Sequence, residues 1–220
     1  MMLRVDRATV QISGFSVLRG LSLEVETGSI VGLIGRNGAG KTTTLRCIMG
    51  LVGLESGDVL LDGQSLRALP AHVRAKYGIG YMPEDRRLIP ALTAEQNILL
   101  PTWARAIPQA ASRLATIYRL MPEVQALAAR PATQLSGGQQ KLVALARCFM
   151  SGSKVLLLDE PFEGVAPVLS RRLARAVKEL AETEQGLSVL VCQSEFTWAR
   201  LLATKLYVIE RGEIVEEGAS

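Results

Sequence analysis

"SIVGLIGRNGAGKTTTLRCIMGL", residues 29–51, decides the reading of this chain. Ser29 to Gly35 is apolar on both faces, as a strand buried in a parallel sheet is, and it runs directly into a glycine loop and then a segment of helical periodicity. The loop, Gly35 to Thr42, has the spacing G-x-x-x-x-G-K-T, known as Walker A. Glycines there let backbone N–H groups turn inward around phosphate oxygens, and the start of the helix adds a favourable dipole. The phosphates of a nucleotide are therefore assigned to Gly35, Asn37, Gly38, Ala39, Gly40, Lys41, Thr42 and Thr43. Lys41 is expected on the outer phosphates, and the Thr42 hydroxyl on Mg²⁺.

Downstream, "KVLLLDEP", residues 154–161, supplies a second buried strand that ends in two adjacent carboxylates. Such a pair is costly unless a cation or a reaction uses it. Asp159 is expected to hold Mg²⁺, and Glu160 to polarise the attacking water. Between these motifs lies "LSGGQQ", residues 135–140. Ser136, Gly137 and Gly138 open another helix whose first N–H groups are expected to be unpaired, which makes a second anion site.

The rest of the chain sets bounds. It has 220 residues, 48% hydrophobic and 21% charged, the profile of a globular protein with a full core. A net charge of +4 is spread through the sequence without a block of Lys and Arg, so no nucleic-acid partner is expected. No apolar run approaches the ~18 residues of a membrane span, and "MMLRVDRATV" has no signal-peptide apolar region, so a cytoplasmic location is expected. Cys47, Cys148 and Cys192 read as small buried thiols, and the lone His72 as a surface residue. Trp103 and Trp198, at helical spacing with Leu and Ile, read as packing against the core or a membrane subunit.

Alternation in "LRVDRATVQI" and "LSLEVETG" indicates antiparallel strands near the start. "YGIGYMP", "LSVLVCQ" and "KLYVIERGEIVEEG" add further strands, and helical segments fall between the later ones. From 93 to 150 only helical spacing is found, punctuated by Pro101, Pro108, Pro122 and Pro131. The expected architecture is a single α/β unit over residues 1–220: a P-loop NTPase (RecA-like) core with an N-terminal antiparallel β subdomain, over 1–92 and 151–220, and an inserted all-helical subdomain over 93–150.

Walker A, then "LSGGQQ", then "LLLDEP" about twenty residues later resembles the nucleotide-binding domain of an ABC ATPase, from about Leu3 to Gly218. The resemblance implies that Ser136, Gly137, Gly138 and Gln139 bind the ATP of a second subunit, and hence a dimer holding two ATP molecules. The partner ATPase is a homologous subunit or a second copy of the chain. More narrowly, "GIGYMPEDRRLIPALTAEQNILL" and "DEPFEGVAPVL" are similar to the ATPase subunits of importers for branched-chain amino acids, urea and amides. That implies permease partners in the membrane, a periplasmic or extracellular solute-binding protein, and a peripheral place on the cytoplasmic face of the inner membrane. It puts Glu84 in the Q-loop beside Mg²⁺ or the attacking water, Gln193 at the switch position, and the Glu84–Pro90 loop on the permease. The adenine-stacking position falls at Ile12, with Phe15 the nearby aromatic. The alternatives are a soluble ABC ATPase of translation or DNA repair, which usually carries two cassettes, and a P-loop GTPase or small-molecule kinase, which would leave "LSGGQQ" unexplained.

Overall fold

Two strand periodicities build two sheets. The computed structural model describes residues 2–184 and 186–219. In the first sheet, β1 (Met2–Ile12) and β2 (Phe15–Glu26) form a hairpin whose turn residues, Ser13 and Gly14, have φ of 51° and 82°. Two consecutive left-handed residues match the twist of the flanking strands. The other strands are β3 (Ile30–Ile34), β4 (Ser56–Leu61), β5 (Gln64–Ser65), β6 (Ile79–Met82), β7 (Val155–Asp159), β8 (Ser188–Gln193), β9 (Lys205–Glu210) and β10 (Glu213–Ala219). The antiparallel sheet has the order β2-β1-β4-β5, and the larger sheet β10-β9-β3-β8-β7-β6. In the larger sheet β9, β3, β8, β7 and β6 are mutually parallel, and β10 returns antiparallel on β9.

The helices are α1 (Lys41–Met49), α2 (Ala71–Arg74), α3 (Ala94–Ala104), α4 (Ala110–Leu120), α5 (Pro122–Ala126), α6 (Gly137–Ser151), α7 (Pro167–Thr183) and α8 (Phe196–Leu202). Period-two alternation divides the parallel strands between two cores. Val31, Leu33, Leu157, Leu190 and Cys192 face α1 and the antiparallel sheet. Ile30, Ile34, Leu156, Leu158, Val189 and Val191 face α3, α4, α6, α7 and α8. Continuous apolar runs thus mark strands buried on both faces.

Between β6 and β7 the described residues contain helices and no strand, with one isolated bridge from Thr93 to Pro131. Pro101 lies within α3, where the sequence suggested an interruption. "KLYVIERGEIVEEG" is a hairpin of two strands, turning at Arg211 and Gly212 with φ of 49° and 86°. β4 and β5 were not anticipated, although Asp62-Gly63 between them is a hairpin signal.

The strand order places the chemistry. Ligands in open α/β sheets sit beyond the carboxyl ends of the strands. Here β3 ends in the Gly35 loop, β8 in Gln193 and β7 in Asp159, and β8 lies between the other two. The register pairs Ile34 with Gln193 and Asp159 with Cys192.

Candidate active site

The Walker A loop is a close-packed backbone cradle. A Cβ on Gly35 would lie 2.4 Å from the Ile209 carbonyl oxygen, and Gly40, with φ of 116°, is the N-cap of α1 without a side-chain cap. Lys41, 5% exposed, donates to the Gly35 carbonyl at 2.6 Å and lies 3.1 Å from Glu160 Oε1. Asn37, Gly38, Gly40, Lys41, Thr42 and Thr43 line a cavity of about 600 Å³ together with Glu84 and Glu160. Gly35 and Ala39 face a neighbouring cavity with Asn37, Gly38 and Ser194.

Ile12 and Phe15 stand on the wall of the same 600 Å³ cavity. Three residues apart in sequence, they are cross-strand partners at the end of the β1–β2 hairpin, and Phe15 is 76% exposed. An aromatic face is therefore available beside the loop.

The carboxylates sit opposite. The Thr42 hydroxyl donates to Asp159 Oδ1 at 3.2 Å, while Asp159 Oδ2 is buried without a hydrogen-bond partner. Burial pushes the Asp159 carboxyl up to about 6. Glu160 has a left-handed φ of 44°, and its Oε2 accepts from the Ser194 amide at 3.2 Å and hydroxyl at 3.4 Å. Gln193 is 2% exposed, and its Nε2 has no partner. Among the described residues the buried side-chain atoms without a hydrogen bond are Tyr81 Oη, Asp159 Oδ2, Glu160 Oε1 and Gln193 Nε2, of which Glu160 Oε1 is ion-paired with Lys41. Such atoms are rare in folded proteins, so their presence on adjacent strands marks a site prepared for an absent partner. Tyr81 was missed from sequence, since it reads as an ordinary strand residue. Its hydroxyl is pushed up to about 12, first by burial and then by the Asp159 charge.

These groups fit Mg²⁺. A carboxylate with a free oxygen, a hydroxyl bonded to its other oxygen, and Glu84 on the cavity wall are hard oxygen donors. No group of three His, Cys, Asp or Glu side chains converges as a metal site among the described residues. Mg²⁺ is ordinarily held by few protein oxygens, with water and phosphate completing its shell.

The signature loop differs from its expected form. Ser136 caps α6: its Oγ accepts from the Gln139 amide at 3.3 Å, and its own N–H donates to Gln139 Oε1 at 2.9 Å. This reciprocal capping box, legible as S-x-x-Q, occupies the N–H groups of Ser136 and Gln139, and those of Gly137 and Gly138 lie outside it. Gly137 lines a separate cavity of about 610 Å³ with Glu84, Arg86, Lys141, Asp159 and Glu163. Ser136, Gly138 and Gln139 do not line the Walker A cavity.

Basic side chains tie α6 to the surrounding loops. Arg86 and Arg87 have left-handed φ of 61° and 48°, and Arg147 donates to the carbonyls of both, at 2.8 Å for Arg87. Arg86 reaches back to Gln140 Oε1 at 3.2 Å. Lys141 donates to the Glu160 carbonyl at 2.8 Å and to that of Glu163, and burial holds its ammonium below the ordinary value. The signal for Lys141 was a lysine heading the buried run "KLVALARCFM".

Of the remaining candidates, Cys192 lies within the site, its thiol donating to the Lys41 carbonyl at 3.8 Å. The three cysteines are buried and free, and His72 is exposed. Trp198 stacks on Phe162 with ring centroids 5.4 Å apart. Trp103 is 58% exposed on α3, so it is not a core residue.

Residues 18–163 match the protein family described as "ABC transporter". The chain belongs to that family. It is 33% identical over 207 residues to the lipopolysaccharide export system ATP-binding protein LptB of Escherichia coli K12, covering 93% of this chain and 85% of that protein. It is 32% identical over 214 residues to the high-affinity branched-chain amino acid transport ATP-binding protein BraG of Pseudomonas aeruginosa, covering 97% and 91%. A solved nucleotide-free ATP-binding cassette from an ABC transporter superposes with a TM-score of 0.86 at 26% identity, covering 100% of this chain and 91% of that one. The ADP conformation of another such cassette gives 0.84, with the same identity and coverage. The fold is thus an ABC ATPase cassette, and the chain is the ATP-binding, ATP-hydrolysing subunit of an ABC transporter.

Proposed function

We propose that the chain hydrolyses ATP to power an importer of branched-chain or other amino acids, or of small amides. The observation that carries the catalytic reading is the buried Asp159–Glu160 pair facing Thr42 and Lys41 at the carboxyl edge of the sheet. In this reading the Walker A loop holds the phosphates, and Ile12 and Phe15 meet the adenine. Glu160 takes up the proton of the attacking water, and the unpartnered amide of Gln193 donates to a γ-phosphate oxygen. Mg²⁺, held by Thr42 and Asp159 with Glu84 beside them, would supply positive charge to the phosphate oxygens.

Ser136, Gly137, Gly138 and Gln139 serve the nucleotide of a second ATPase subunit, so ATP bridges two chains and hydrolysis removes the bridge. Residues 93–150 form the helical signalling subdomain, and Glu84–Pro90 passes the movement to permease subunits. The chain itself stays peripheral, at the cytoplasmic face: among the described residues no helix is long and apolar enough to cross a membrane. An extracytoplasmic binding protein delivers the solute.

The similarity to BraG supports the amino-acid reading, and the equal similarity to LptB favours lipopolysaccharide export as a second reading. ATPase rates of the chain assembled with its permeases separate them. Stimulation by leucine-type solutes with their binding protein supports import, and stimulation by lipopolysaccharide alone overturns it. Glu160→Gln tests the chemistry, because the amide keeps shape and hydrogen bonding but cannot act as a base. Turnover is expected to fall at least about a hundredfold, with ATP binding retained and an ATP-bound dimer accumulating. Hydrolysis within tenfold of the unmutated chain would remove Glu160 from its role.

A further inference from the structure

Lys141 is the fifth residue of α6, one turn beyond the signature loop, and only 6% exposed. A buried ammonium persists only where it is well paired, and this one is aimed at peptide carbonyls. Its partners, the Glu160 and Glu163 carbonyls, are the two ends of the turn that follows β7. That turn is closed by a Glu163 N–H to Glu160 carbonyl bond of 3.3 Å.

The turn begins at a strained residue. Glu160 has φ of 44°, a conformation that a side chain with a Cβ enters uphill and keeps only when its surroundings over-determine it. Three elements supply that determination. β8 accepts the Glu160 amide at the Cys192 carbonyl, 3.0 Å away, and Ser194 just beyond β8 binds the carboxylate. α1 presents the Lys41 ammonium to Oε1. The third is α6, through Lys141, which grips the Glu160 carbonyl from the helix that Ser136 caps.

We propose that Lys141 is the positioning residue for Glu160: it clamps both ends of the turn, holds the left-handed backbone that aims the carboxylate, and ties that aim to the helix opened by the signature loop. This rests on the reading of Glu160 as the group that polarises the attacking water. A phosphate bound at Gly137 and Gly138 and the setting of Glu160 in the same chain then become one event, carried over a single helical turn. Lys141 touches no reacting atom, so its loss should affect turnover and leave nucleotide binding intact.

The test is made on the full chain with three variants. Lys141→Met removes the charge and the donors at similar volume, Lys141→Gln keeps one donor group, and Lys141→Arg keeps charge and donors. Steady-state hydrolysis, binding of a fluorescent ATP analogue and thermal midpoints are measured together. Lys141→Met is expected to lower kcat at least about tenfold, a loss of about 1.4 kcal/mol at the transition state, with affinity for the analogue changed less than about twofold. Lys141→Gln is expected to be intermediate, and Lys141→Arg to return kcat to within about threefold. In a Glu160→Gln background Lys141→Met should cost nothing further, because the group it positions can no longer act.

A folded Met variant with unchanged kcat overturns the proposal, as does a further tenfold loss in the Glu160→Gln background. Should the Met protein not fold, an unchanged kcat in the Gln variant overturns it equally. Glu160→Gln alone, if active, removes the underlying reading. If it is inactive while the Lys141 variants are normal, only the role of Lys141 falls.

Discussion

The chain has two loops that look alike on paper, each a glycine-rich turn opening a helix, and the structure finishes them differently. At the start of α1 the N-cap is Gly40, which offers no side chain, so the first amides of the helix stay open toward a cavity. At the start of α6 the cap is Ser136, and a reciprocal box with Gln139 satisfies two amides within the chain. One loop is a preformed phosphate cradle with unpartnered carboxylate and amide atoms beside it. The other has two of its amides tied by the box, leaves those of Gly137 and Gly138 outside it, and lines a different cavity through Gly137. The difference teaches that two glycine-rich helix starts of similar sequence can be fixed by different means: a bare left-handed glycine at Gly40, and a reciprocal side-chain box at Ser136.

The comparison breaks most visibly at Gly137. Gly137→Asp places a negative charge where the second subunit's phosphate is proposed to dock, and its Cβ would lie 3.3 Å from Arg86 Nη1. Hydrolysis is expected to fall by about a hundredfold or more, while ATP affinity of the separate chain changes less than about threefold. Equal loss of nucleotide binding by the separate, folded variant, measured by titration with a fluorescent analogue, would make the two loops one site.

A smaller effect sharpens the contrast from the open side. Asp159 is fully buried and its carboxyl is raised to about 6, so the folded chain holds its proton more tightly than the unfolded chain does. The stability from this group is fully present below about pH 4 and is lost as pH rises through about 6. Without nucleotide or metal, Asp159→Asn is expected to stabilise the chain at pH 7 by about 2 kcal/mol and to flatten the pH dependence between about 4 and 6. Denaturant titrations at pH 4, 5, 6 and 7 measure both. A destabilised Asn variant with an unchanged pH profile would show that the open site carries no such penalty.

The smallest effect concerns Gln193, whose unpartnered Nε2 completes the open side. Gln193→Ala is expected to lower kcat about tenfold in the transporter assembled with its permeases, equivalent to about 1.4 kcal/mol. Gln193→His should stay active and acquire a rate change between about pH 6 and 7.5, because imidazole titrates there and an amide does not. An unchanged alanine rate would leave Gln193 as a strand-end residue only.

Local chemistry was legible where it depends on neighbours in sequence. The Walker A loop, the carboxylates after β7 and the helix start at Ser136 each follow from residue types at short spacing, and each is where the sequence put it. The capping box was likewise written in Ser136-x-x-Gln139. The short pair β4–β5 was not recognised, because two residues of β5 carry no periodicity.

What only the tertiary structure decided is adjacency. The order β3-β8-β7 brings Gln193, Asp159 and Lys41 to one edge, although the segments they come from are separated by most of the chain. Strand order is set by which buried faces fill the two cores, a sum over many non-local contacts that no short motif encodes. The same reason hid Lys141, whose partners are carbonyls roughly twenty residues away. Phe15, named from the sequence, comes to the wall beside Ile12 through hairpin pairing. Sequence alone determined which groups the protein carries for phosphate chemistry, because spacing along a strand, loop or helix is fixed by backbone geometry. The fold determined which of them meet, because that depends on how the sheets and helices bury their apolar faces together.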